Sequence, residues 1–106
     1  MEKVVSIDGK ETRMVANAAT PRLYRSMFGK DVFADMTHAV AEDGSINSAE
    51  VFENLSYTMA KQGGLAEDID TWLGSFESPT AIIEAVPEIL NLWLGTQQTT
   101  VNGKKK

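Results

Sequence analysis

The sequence predicts a mainly α-helical single domain opened by a β-hairpin. Three observations carry that prediction: an Asp8-Gly9 turn between two short β-prone runs, cap-and-proline helix starts at Thr20-Pro21 and Ser78-Pro79, and apolar residues recurring at helical spacing between glycine stops. At 106 residues the chain has room for one domain. We place it at residues 1–95 and read residues 96–106 as a flexible tail.

Residues 3–16 form the hairpin. Val4, Val5 and Ile7 precede Asp8-Gly9, and Thr12 to Val15 follow. Asp-Gly supplies the positive φ angles of a tight two-residue turn. A lone hairpin is marginal in water, so it must lie on the helices. Thr20 then caps the first helix, with Pro21 at the first position, where no amide hydrogen is needed. Leu23, Tyr24, Met27 and Phe28 share a face, and Gly29 ends the helix. Asp31 starts the second helix, whose stripe is Val32, Phe33, Met36, Ala39 and Val40. The short join makes the pair turn sharply.

After a loop at 42–47, a third helix over 48–62 puts Val51, Phe52, Leu55 and Met59 on one face. Gly63-Gly64 closes it. A short fourth helix, 67–76, gathers Ile69, Trp72, Leu73 and Phe76. Its first turn holds Glu67, Asp68 and Asp70, where the helix dipole favours acids. The last helix runs from Ser78-Pro79 to Leu94. Its main stripe is Ile82, Ile83, Val86, Ile89, Leu90, Trp93 and Leu94, with Ala81, Ala85 and Leu92 on the flank. A helix apolar over most of its girth needs cover on more than one side. It is therefore either the central helix of the domain or a helix docked on a second chain. Pro87 lacks an amide hydrogen and should kink it. Gly95 ends the order, and TQQTTVNGKKK has no apolar period.

The composition narrows the function. The chain has no cysteine, which removes disulfides, thiolate metal sites and thiol nucleophiles and fits a reducing compartment. Residues 1–41 hold six Lys/Arg and five Asp/Glu; residues 42–95 hold only Lys61 against ten acids; residues 96–106 add three lysines. A body this acidic repels nucleic acid and is suited to steering a basic partner. The start, MEKVVSIDGK, is neither a signal peptide nor an anchor, and no stretch is apolar enough to span a membrane.

Four patterns invite a sharper chemistry. AVAEDGSINSAE, residues 39–50, looks like the second half of an EF-hand loop, with Asp43, Gly44, Ile46 and Glu50 in register. Ala39 and Ala41 fill positions where calcium needs carboxylates, so a degenerate, metal-free EF-hand-like interaction module is the alternative class. His38 stands alone on the polar side of its helix, with no second histidine to build a metal site or triad. Acid pairs such as Asp68/Asp70 and Glu84/Glu88 lie at helix starts and polar edges, where structure explains them. Gly63-Gly64 lacks the Lys-Ser/Thr of a phosphate loop. These patterns point away from an enzyme, a metal site and a cofactor. Tyr57 lies off the apolar stripe of its helix, and Leu92 off the main stripe of the last one.

Taken together, the segments resemble the tail assembly chaperones of long-tailed phages of Gram-positive bacteria. TPRLYRSMFGKDVFADM, residues 20–36, is similar to the family's opening helices: a hairpin, a helix carrying Arg22, Tyr24 and Arg25 and ending in Phe28-Gly29, then Asp31 starting the next. VFENLSYTMAKQ (51–62), Asp70-Thr71-Trp72-Leu73 and IIEAVPEILNLW (82–93) resemble its later helices in order and spacing. The resemblance implies a non-enzymatic cytoplasmic protein, absent from the finished virion. Such a protein binds the long helical tape measure protein, keeps it soluble and brings tail tube subunits to it. It is compatible with a homo-oligomer and with a longer, frameshifted form made near the Gly103 to Lys106 codons. An apolar face would take an amphipathic helix of the client. We expect Tyr57, Ile89, Leu92 and Trp93 near that face, so that Leu92→Asp would weaken client binding and spare the fold.

Overall fold

A computed structural model describes the backbone of residues 1–105 and the side chains of residues 1–95. The element order is β1 (Glu2–Ile7), β2 (Lys10–Val15), α1 (Thr20–Phe28), α2 (Val32–Ala39), α3 (Ala49–Gln62), α4 (Ile69–Gly74) and α5 (Ala81–Lys105). The expected hairpin and five helices are all present.

β1 and β2 pair antiparallel from Glu2↔Val15 to Ile7↔Lys10. Asp8 (φ 53°) and Gly9 (φ 79°) make the turn, as the Asp-Gly pair requires. Val5, Ile7 and Met14 point inward and are buried. The hairpin tip is tied down from far along the chain. The Asp8 carboxylate accepts from the Glu77 and Ser78 amides at 2.7 and 3.4 Å, and the Lys10 ammonium donates to the Ser75 carbonyl at 2.7 Å.

The helix starts depart in detail from the sequence reading. The cap of α1 is Ala19, which offers no side-chain bond. Thr20 is instead buried inside the first turn, where its hydroxyl accepts from the Asn17 amide at 2.9 Å and donates to Gln62 Oε1 at 2.5 Å. That hydroxyl joins α1 to the end of α3. Asp31 does cap α2, accepting from Phe33 and Ala34 N–H at 2.8 and 3.3 Å. Asp68 caps α4 by accepting from Thr71 N–H at 2.7 Å. α4 is shorter than expected. α5 begins at Ala81, two residues beyond Pro79, where Thr80 donates to Glu84 at 2.6 Å. Gly95 lies within α5 rather than ending it. The expected loose tail, 96–106, lies outside the residues whose side chains are described.

The enclosed helix is α3, not α5. Every residue from Asn54 to Ala60 is buried, and α3 packs on β2, α1, α2 and α5. α5 packs on β1 and α3. It buries Ala81, Ile82, Ala85, Val86, Ile89 and Leu92 and leaves Glu84, Pro87, Asn91 and Leu94 exposed. The apolar girth of α5 misled because apolar residues sit on both its buried and open flanks. Polar residues let α3 hide: Thr58 returns its hydroxyl to the Asn54 carbonyl at 2.7 Å and Ser56 to Glu53 at 3.1 Å, so small hydroxyls inside the core are satisfied.

Gly63 explains how α3 meets the hairpin. A Cβ there would lie 2.1 Å from the Arg13 carbonyl oxygen. Its φ is −78°, so the glycine answers close backbone approach and not a left-handed turn. The turn belongs to Gly64, at φ 113°.

Candidate partner-binding cleft

Three of the four residues expected near a partner surface are core. Ile89 is fully buried and Leu92 is 2% exposed. Both face inward from α5, so Leu92→Asp would bury a charge and unfold the domain rather than spare it. Tyr57 is also buried. Its ring lies 5.8 Å from that of Trp72, which in turn meets Phe76 at 5.3 Å, and its hydroxyl donates to the Glu67 carbonyl at 2.7 Å. That hydroxyl is why a residue off the helical stripe is inside: it fastens the loop leading into α4. Trp93 alone stays half-buried.

Trp93 follows the buried Leu92 on α5 and borders an open cleft of about 400 Å³. Phe33 and Trp93 form one wall, their rings 5.7 Å apart and inclined at 42°. Pro21 of α1 and the small residues Ala16, Asn17 and Ala18 form the other, with Met1 across the end. Sequence placed Phe33 in the buried stripe of α2, but it is 54% exposed. At ~100° per residue it sits at the edge of the Val32–Met36–Ala39 face and overhangs. The large apolar side chains exposed among the described residues are Met1, Val4, Phe33 and Leu94. Two of these line the cleft and Leu94 follows Trp93 along α5. Single exposed apolar residues are ordinary, whereas a cluster around a concavity marks a contact site.

A second cavity, about 370 Å³, lies between the hairpin and α4 and is bordered by Lys10, Arg13, Trp72 and Phe76. Its cations are already committed. Lys10 holds Ser75, and the Arg13 guanidinium donates to the Gly63 carbonyl at 3.0 Å and to Glu2 at 2.9 Å. The aromatic rings there belong to the buried cluster.

The EF-hand-like loop is built as a turn. Val40 and Ile46 pair across it, and Gly44 has φ 90°. The Asp43 carboxylate accepts from the Ser45 amide and hydroxyl at 2.9 and 2.7 Å, and these bonds hold it below the usual carboxylate range. Among the described residues no three His, Cys, Asp or Glu side chains gather as a metal site, and His38 is exposed. No described helix is long and apolar enough to cross a membrane. The buried ionisable group of note is Tyr24. Its hydroxyl donates to Asp35 at 2.7 Å, and burial, reinforced by that carboxylate, pushes its pKa upward.

Compared with protein-family models, with curated protein sequences and with solved structures, the chain matches none.

Proposed function

We propose that this chain is a tail assembly chaperone of the long-tailed phage type. In this reading it is a non-catalytic cytoplasmic protein that binds the tape measure protein, keeps it soluble and helps recruit tail tube subunits, and it leaves before the virion is complete. The order of segments at 20–36, 51–62, 70–73 and 82–93 supports it through resemblance. The observation that carries it is the open Phe33–Trp93 pair beside the cleft. Two large rings held half in water by a packed scaffold give a client side chain apolar surface to cover, at ~25 cal/mol per Å² before the ordering cost.

The cleft is pre-formed by α1, α2 and α5, so little of the chaperone need be ordered on binding. An amphipathic helix can place one or two large apolar side chains in a space of this size, and its remaining length stays beside an acidic, well-hydrated body. Co-expression tests the reading. The chain is produced together with a tape measure protein of a long-tailed phage, and the soluble fraction of that client is measured. The chain should raise client solubility, and Phe33→Ser should abolish the gain while the chain itself stays folded. A client equally insoluble with and without the chain would refute the chaperone role.

A further inference from the structure

We infer that the partner segment seated in the cleft is an amphipathic helix whose apolar anchors are flanked by carboxylates, received by Arg22 and Arg25. This rests on the docking reading above and adds the partner's charge.

Pro21 is part of the cleft wall. Arg22 is the next residue of α1, and Arg25 follows Pro21 by one turn on the same side of the helix. At 1.5 Å rise per residue, Arg25 lies about 6 Å further along the axis, within the reach of an arginine side chain. Both are exposed.

Among the described residues neither arginine is committed elsewhere. The ion pairs among the described residues are Lys3–Glu88 and Arg13–Glu2. Lys10 and Lys61 donate to the carbonyls of Ser75 and Ala66. Within residues 1–95, Arg22, Arg25 and Lys30 are thus the cations with no carboxylate or carbonyl partner among the described residues. All three lie on α1 or on the turn that follows it. Residues 96–106 contain no Asp or Glu that could answer them.

Helix stability does not account for Arg22. It stands in the first turn of α1, where the dipole works against a cation, in a helix with no acid in that turn and no side-chain cap. Arg25, in the last turn, does suit the dipole. Local energetics therefore favour an acid at position 22, and the cation there points to a requirement outside the helix.

The rest of the surface decides the sign of the partner. Net charge alone suggests a basic client, attracted over the whole body. Residues 42–95, with ten acids and one lysine, would hold such a client without placing it. At the cleft it would meet like charge. Among the described residues, an acidic-flanked helix is repelled by the body and accepted beside α1, so the same charges that bind it also fix where it lies.

The test uses the full chain and two synthetic helical peptides with identical leucine faces, flanked by Glu in one and by Lys in the other. Calorimetry should show the Glu peptide binding about fivefold tighter near 50 mM salt, for two rim charge pairs, with the difference shrinking as the Debye length falls at about 500 mM. The double variant Arg22→Glu/Arg25→Glu should reverse the preference. Arg22→Glu alone should weaken the Glu peptide while leaving the melting temperature equal or higher, a combination a merely structural arginine would not give. Equal affinity for both peptides, with binding still lost in Phe33→Ser, overturns the charge assignment and leaves the cleft standing. Tighter binding of the Lys peptide does the same. No binding by either peptide to a chain folded by circular dichroism overturns both.

Discussion

Two aromatic clusters divide the work of this domain. Tyr57, Trp72 and Phe76 are buried, interlocked at 5.3 to 5.8 Å between centroids, and fastened by the Tyr57 hydroxyl on Glu67. Phe33 and Trp93 approach as closely, at 5.7 Å, yet Phe33 stays 54% exposed beside an open cleft. Ring contact is therefore not what separates core from candidate interface. What separates them is cover. Tyr57 of α3 and Lys10 of the hairpin lie against the rings of Trp72 and Phe76, while the second cluster bridges α2 and α5 beside the cleft.

Substitutions should respond to that division. Trp72→Ala should cost the most, about 3–5 kcal/mol as for large-to-small changes of buried aromatics, read as a lower urea midpoint or as an unfolded chain. Gly63→Ala should follow. Its methyl group would strike the Arg13 carbonyl, so α3 and β2 must part at about 1–3 kcal/mol, again read by urea unfolding. Tyr57→Phe keeps the ring and loses one hydrogen bond, for about 1 kcal/mol. Phe33→Ser should change stability by about 0.5 kcal/mol or less while removing partner binding; a large loss of stability would place Phe33 with the core.

Tyr24 offers a pH test of the buried class. Its folded pKa is raised above the ordinary value of 10.0 by burial and by Asp35. Below that value folded and unfolded chains hold the phenol proton equally. Above it the unfolded chain releases the proton first, so stability falls as pH rises. The urea midpoint should drop between about pH 9 and about pH 11, and drop less in Tyr24→Phe. An equal drop in both would show that Tyr24 is not the group responsible.

Most of the fold was legible because its signals are local. Asp8-Gly9, Asp31 and the glycine stops at Gly29 and Gly63-Gly64 act within a turn of themselves, and the elements they bound appeared nearly where expected, whereas Gly95 does not stop α5. The cleft was much less legible, because it depends on which element covers which. Tyr57 lies off its helical stripe, which points to a contact surface; a carbonyl from another segment, Glu67, holds it inside. Phe33 sits on a stripe whose spacing predicts burial, yet it is 54% exposed because it lies at the edge of that face. The apolar girth of α5 leaves open a central helix or one docked on a second chain; the enclosed helix is α3, where Ser56 and Thr58 have hydroxyls satisfied by their own helix. Of the four residues expected near a partner face, Trp93 is the one left half-buried beside the cleft. The arginines beside the cleft were visible as letters, but their lack of partners was not.

The tie between the hairpin tip and the segment before α5 bears on how the chain is made. Asp8 is synthesised 69 and 70 residues before Glu77 and Ser78, whose amides it holds; Lys3 waits still longer for Glu88. On a ribosome, β1 and β2 emerge long before their cover exists, and a bare two-stranded ribbon does not persist alone. Folding of the hairpin is therefore deferred until the segment through Glu88 has left the ribosome, and any ribosomal pause before that point holds an unfinished, greasy intermediate in the open.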